Sequence, residues 1–108
     1  MQIRQAEQSD LGEWAKLREA LWSECTAEAL LDEARSILAS ADQVCFLLMD
    51  PSAGPVGFVE AAVHAGAEGP YGHVEGWYVL PEFRNRGHGR ELIGRVEQWC
   101  LHRAIHRL

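Results

Sequence analysis

Apolar residues recur at helical spacing over residues 10–23, where Leu11, Trp14, Leu17, Leu21 and Trp22 share one face. Gln2–Ala6 ahead of them predicts a short opening strand, and Ser9 stands where an N-cap belongs, with Asp10 in the first turn. Thr26 caps a second predicted helix whose stripe is Ala27, Leu30, Leu31, Ala34, Ile37 and Leu38. The period then changes. Val44–Met49 is an unbroken apolar run between Gln43 and Asp50, and its shortness predicts a strand. Asp50-Pro51-Ser52-Ala53-Gly54 reads as a turn, so Val56–His64 returns as the second arm of a hairpin. Ala65–Gly72, with three glycines and a proline, predicts a loop, and Val74–Leu80 predicts a strand stopped by Pro81. Leu92, Ile93, Val96, Trp99 and Cys100 line one face of a final helix, Gly89–His102. The order β-α-α-β-β-β-α describes one α+β (mixed α/β) domain over residues 1–108. A strand, then a helix, ordinarily leads back to a parallel strand. Ala104–Leu108 offers only the beginning of one, so the chain reads as part of a longer domain.

At 108 residues the chain matches one ordinary domain. It holds no run near the roughly 18 apolar residues of a membrane span, and Met1–Gln5 lacks the apolar segment of a signal peptide. Residues 1–60 carry eleven acidic against four basic residues, net −7, while residues 61–108 carry six arginines against five acids, net +1. An acidic body argues against nonspecific nucleic-acid binding. It suits a small cationic partner, and the arginine-bearing stretch suits a phosphate; for most of the acids, solubility is the plainer role. Cys25, Cys45 and Cys100 form no C-x-x-C pair, which points to a reducing, cytoplasmic setting.

The segment Val79-Leu80-Pro81-Glu82-Phe83-Arg84-Asn85-Arg86-Gly87-His88-Gly89-Arg90 carries the clearest chemistry. A strand ends, a turn rich in Gly and Arg follows, and a helix begins. Unpaired N–H groups and the dipole at a helix start favour an anion. Gly87 and Gly89 allow close backbone approach, and Arg84, Arg86 and Arg90 add charge with no acid between them. Residues 84–90 are therefore either a pyrophosphate site or a solvated basic helix start. The spacing matches neither G-x-x-x-x-G-K-[ST] nor G-x-G-x-x-G, which sets aside a nucleotide-hydrolysing loop and a dinucleotide fold.

Arg84-x-x-Gly87-x-Gly89, preceded by Tyr78-Val79-Leu80-Pro81 and followed by Leu92-Ile93, resembles the acetyl-CoA motif of the GNAT superfamily of N-acetyltransferases. Ile3-Arg4-Gln5, Trp14-x-x-Leu17-Arg18-x-x-Leu21-Trp22, Gly57-Phe58 and Glu75-Gly76 extend the likeness, in order, to the bacterial aminoglycoside 6′-N-acetyltransferases within it. The resemblance implies the GNAT acyltransferase fold, with its closing strands and last helix absent or truncated here. It implies acetyl-CoA as co-substrate, no metal, and direct acetyl transfer to a primary amine in a ternary complex, with the 6′-amine of an aminoglycoside favoured. By the same likeness Tyr78 and Val79 hold the pantetheine arm, and Arg84, Asn85, Arg86, Gly87, His88, Gly89 and Arg90 hold the pyrophosphate. Glu75 is the candidate catalytic residue, orienting the ammonium and relaying its proton, although alone it reads equally as a cross-strand carboxylate. Trp22 is the candidate substrate contact, although its spacing also fits core packing. Glu24 and Glu28 are placed to attract a polycation or simply to face solvent. A homodimer is common in such proteins.

The i, i+4 pair His102 and His106 has metal-ligand spacing but no evident third ligand. His64 and His73 carry no signal in the sequence. Two other functions fit the same residues: acetylation of another amine, such as a polyamine or a protein N-terminus, and a non-catalytic CoA-binding or association module.

Overall fold

A computed structural model describes all residues, Met1–Leu108. Four strands, β1 (Gln2–Gln5), β2 (Gln43–Asp50), β3 (Gly54–His64) and β4 (Tyr71–Val79), form one antiparallel sheet in that spatial order. The helices are α1 (Leu11–Leu21), α2 (Ala27–Ala39) and α3 (His88–His102), and single 3₁₀ turns cover Gln8–Asp10 and Pro81–Phe83. The element order is the expected one.

Both faces of the sheet are covered, which explains why Val44–Met49 does not alternate. Cys45 and Leu47 face α1 and α2, in a cluster with Trp14, Leu17, Ala34 and Phe58. Val44, Phe46 and Leu48 face α3 and pack with Val59, Leu92, Val96 and Cys100. The two clusters make a core on either side of one sheet.

Local chemistry moves some expected boundaries. Asp10, rather than Ser9, organises the start of α1: its carboxylate accepts from the Glu7 N–H at 2.8 Å and from both terminal nitrogens of Arg4 at 2.7 and 2.8 Å. The Arg4 hydrogen bonds hold the Asp10 carboxyl below its ordinary range, against a burial that would raise it. Thr26 caps α2 as expected, its Oγ1 accepting from the Ala29 N–H at 3.1 Å. In the hairpin turn Asp50 Oδ2 accepts from the Ser52 and Ala53 N–H groups at 3.0 and 2.8 Å, and β3 starts at Gly54, earlier than Val56. The loop expected over Ala65–Gly72 is shorter, because Tyr71 and Gly72 already pair with His64 and Val63.

The tail does not form the strand expected at Ala104–Leu108. Ala104 takes a left-handed φ of 58° and Ile105 buries itself in the α3-side core. The Arg107 carbonyl then accepts one hydrogen bond from the Gly72 N–H at 2.8 Å, at the start of β4. β4 otherwise forms the sheet edge.

Candidate active site

β4 does not keep a simple alternation. Glu60 lies opposite Gly76, yet the next residue, Ala61, lies opposite Val74, so Glu75 is an extra residue in a β-bulge. A bulge breaks the period of two and re-aims side chains. Val74 packs in the α3-side core and Trp77 lies over Gly89 of α3. Between them, Glu75 and Gly76 both face α1 and α2. Glu75 lines hollows there with residues of both helices, and a Cβ on Gly76 would overlap the Trp22 ring. Glycine at 76 is thus a matter of space: it lets Trp22 close over β4 beside the bulged carboxylate.

Trp22 is also where α1 ends. Its N–H donates to the Arg18 carbonyl at 2.8 Å, and its ring tilts against Phe58 with centroids 6.1 Å apart. The Arg18 guanidinium sits 4.7 Å from the Trp22 ring centroid. Beneath it, Arg18 Nε and Nη2 donate to Glu60 at 2.8 and 3.1 Å, and its Nη1 donates to Glu33 and to the Leu30 carbonyl, both at 2.9 Å. Trp14 Nε1 completes the network with a 2.9 Å bond to Glu60. Burial alone would lower the Arg18 pKa, but the hydrogen bonds and charge of Glu60 and Glu33 outweigh it and hold it above the ordinary value.

Two adjoining hollows of about 260 and 250 Å³ share Arg18, Glu33, Glu60 and Glu75 in their walls. The first adds Trp22 and Cys25, and the second adds Ser36 and Gln43. Three carboxylates face one guanidinium that is already committed to two of them. The surplus is negative, so the hollows favour a cation.

On the far side of the α1 end lies a larger cleft of about 440 Å³. Tyr78, Val79, Arg84, Asn85, Gly87, His88 and Gly89 line it, together with Leu21, Trp77 and Phe83. Gly87 caps α3 with φ of +83°, and Asn85 is also left-handed at 64°. No protein atom would crowd a Cβ at Gly87, so the backbone angle and not space within the chain requires glycine there. The first bond of α3 runs from the Glu91 N–H to the Gly87 carbonyl, so the N–H groups of His88, Gly89 and Arg90 have no partners inside the helix, at an end whose dipole favours an anion. Arg84 is exposed, its Nε donating to the Val79 carbonyl at 2.6 Å and its guanidinium 5.3 Å from the Tyr78 ring centroid. The donor set, two left-handed residues and a surplus of arginine fit a phosphate group.

Of the nine residues expected to hold the cofactor, seven therefore line one cleft. Arg86 does not; it donates to the Glu82 carbonyl at 3.1 Å and lies over Phe83. Arg90 is exposed on the first turn of α3, outside the cleft. Trp22 and Glu75 share a hollow, as their assignment to one substrate requires, whereas Glu24 and Glu28 line neither hollow. The His102–His106 pair does not lie on one helix: α3 ends at His102, whose Nδ1 contacts the Gln98 carbonyl at 2.9 Å. Sequence reasoning missed Arg18, Glu33 and Glu60 as groove walls, and Trp77 as a wall of the cleft. It also missed His64 and His73, which flank Glu75 at 2.5 and 3.4 Å. For Glu60 a charge inside an apolar run was the available signal; for Trp77 there was none, because simple alternation would put it on the face of Glu75 and the bulge turns it to the other.

Comparison with known proteins identifies the family and the fold. Residues 9–108 match the acetyltransferase (GNAT) family. An aminoglycoside N(6′)-acetyltransferase type 1 of Stenotrophomonas maltophilia is 37% identical over 102 residues, covering 90% of this chain and 65% of the relative. One of Salmonella typhimurium is 34% identical over 104 residues, 92% of this chain and 71% of the relative. The chain thus spans about two thirds of the length of the Stenotrophomonas protein. The structure of AAC(6′)-Iy in complex with a bisubstrate analogue, CoA-S-monomethyl-acetylneamine, superposes with a TM-score of 0.89 at 29% identity, covering 98% of this chain and 75% of that one. The family match over residues 9–108 and the shared fold together mean that this chain belongs to the GNAT family of acetyltransferases.

Proposed function

We propose that this chain binds acetyl-CoA in the cleft at the start of α3 and transfers its acetyl group to a primary amine held beside Glu75, the 6′-amine of an aminoglycoside. The observation that carries the reading is the bulge: it puts Glu75 and Trp22 together in an acidic hollow, one side of the α1 end, while the phosphate-type turn lies on the other. The names of the relatives support the substrate class, and the bisubstrate analogue on AAC(6′)-Iy joins CoA to an acetylated aminoglycoside in one ligand.

The chemistry follows from the groups. An alkyl ammonium is largely protonated near neutral pH and is not a nucleophile until it loses a proton. Glu75 accepts a hydrogen bond from the ammonium and takes that proton, directly or through water, while Glu33 and the face of Trp22 hold the remaining positive charge. The free amine then attacks the thioester carbonyl carbon. A C–N bond forms, the C–S bond breaks, and the CoA sulfur leaves with the bonding pair and takes the second proton, the one the attacking nitrogen loses as it becomes an amide. The Leu80 N–H donates to the Val56 carbonyl at 2.9 Å, so alternation turns the Val79 N–H away from β3 to the open edge of β4, where it is the donor available to the carbonyl oxygen as charge develops. Arg84, with the N–H groups of residues 88–90, neutralises the pyrophosphate. Three free cysteines, two of them buried, suit a reducing compartment such as the cytoplasm.

The test is thiol release from acetyl-CoA with kanamycin, with spermidine and with no amine. Release that depends on kanamycin is expected, and Glu75→Gln should slow it about 100-fold while acetyl-CoA affinity stays unchanged. Release with spermidine alone would move the substrate class to polyamines. Unchanged turnover in Glu75→Gln would remove Glu75 from the mechanism.

A further inference from the structure

Glu75 does not stand alone on its face of the sheet. His64, the last residue of β3, and His73 of β4 project beside it, and one ligand atom from each of the three lies within 4.8 Å of the others. His64 Nε2 is 2.5 Å from Glu75 Oε1, and His73 Nδ1 is 3.4 Å from Glu75 Oε2. The two imidazoles meet edge to face at 89° with centroids 5.5 Å apart, and Tyr71 stacks on the other side of His64 at 5.6 Å. All three ligand candidates reach solvent, so an ion needs no path through the protein.

We propose that His64, His73 and Glu75 form a binding site for a zinc-type divalent cation. Two neutral imidazoles and one carboxylate are a donor set for Zn²⁺ and its neighbours, not for Mg²⁺ or Ca²⁺, which take oxygen ligands. Bonds of about 2.1 Å in a tetrahedral shell hold ligand atoms about 3.4 Å apart. His73 Nδ1 already stands at that distance from Glu75 Oε2, the carboxylate oxygen other than the one His64 meets, so a turn of the carboxylate presents one oxygen to both rings. The His64–Glu75 pair needs to open by about 1 Å, a side-chain movement that half-exposed residues at a strand end can make. Three protein ligands leave the fourth position to water, as in open zinc sites. The site arises from pairing: His73 lies opposite Ala62, two residues before His64, and Glu75 follows His73 by two, ahead of the bulged step to Gly76, so Glu75 and both histidines share one face. Occupancy takes Glu75 away from an incoming ammonium, a consequence that rests on the acetyl-transfer reading.

Binding itself is independent of that reading, because the experiment contains neither acetyl-CoA nor an amine. Zn²⁺ is titrated into the chain by calorimetry in a Cys25→Ser background, and Co²⁺ is followed by its visible d–d absorption. One equivalent per chain is expected, with Co²⁺ absorption strong enough to report a four- or five-coordinate ion and no displacement by excess Mg²⁺. His64→Ala and His73→Ala should each weaken binding at least tenfold, the scale of loss that even outer-shell partners produce, about 10–100-fold. Circular dichroism verifies that the variants fold. No saturable binding in millimolar Zn²⁺ would overturn the proposal. Binding that survives the double His64→Ala, His73→Ala substitution would overturn it as well, by placing the ion elsewhere, at His88 and Glu91 for example.

Discussion

Replacing Glu60 with alanine tests the network beneath the acidic hollows. Glu60 is 2% exposed, and it is the common acceptor for Trp14 Nε1, at 0% exposure, and for Arg18, at 5%. Removing one partner of a buried ion pair costs about 3–5 kcal/mol, because the surviving charge stays buried. Arg18 keeps Glu33 and the Leu30 carbonyl, which puts its share at the lower end. The Trp14 N–H loses its acceptor in a dry core, adding about 1 kcal/mol. The expected loss is about 4 kcal/mol, a large part of the roughly 5–15 kcal/mol that holds a domain together. At about 4 °C per kcal/mol for some 100 residues, Tm should fall by about 15 °C. Urea unfolding followed by circular dichroism and tryptophan fluorescence reads the change. Glu60→Gln, which keeps shape and one acceptor, should fall between. Arg18→Met combined with Glu60→Leu should recover most of the loss, since a well-packed apolar pair avoids the desolvation. A loss under about 1 kcal/mol in Glu60→Ala would refute the reasoning.

Other outcomes follow from the same structure. Asp10 is held below its ordinary pKa, so its contribution to stability is complete above the unfolded carboxylate pKa and fades as pH falls through the lower folded value; Asp10→Asn should therefore flatten the acid limb of a stability–pH curve measured by urea unfolding. Burial raises the thiol pKa of Cys45 well above its usual value and raises that of Cys100, whereas Cys25 is exposed. A thiol-specific reagent should thus label one cysteine in the native protein and all three in urea, because the thiolate is the reactive form. Gly87→Ala, forced into φ of +83°, should lose about 1–2 kcal/mol of stability and weaken acetyl-CoA binding, read by calorimetry.

Element order was legible in the sequence because each element is written in near neighbours. Trp14 and Leu17 lie within a turn of each other, Thr26 caps through a residue three positions away, and Pro81 and Gly87 bracket the turn before α3. The same locality made the phosphate-type turn readable, since all its groups fall between Tyr78 and Arg90. The start of β4 was not, because Tyr71 and Gly72 look like loop until His64 and Val63 pair with them.

What the sequence by itself determined, then, was a mixed α/β domain with an anion-binding turn before its last helix and an acidic face. Tertiary structure alone decided what surrounds Glu75. A bulge is a mismatch between two strands, and one strand's sequence does not show where its period of two will break, so nothing within β4 announced that Glu75 and Gly76 would face the same way. Arg18 meets Glu60 across 42 positions of chain, and His64 meets Glu75 across 11. Charges and imidazoles so far apart are unremarkable in one dimension; their roles come from burial and from distances of 2.5–3.4 Å, which only the folded sheet and the helices upon it create.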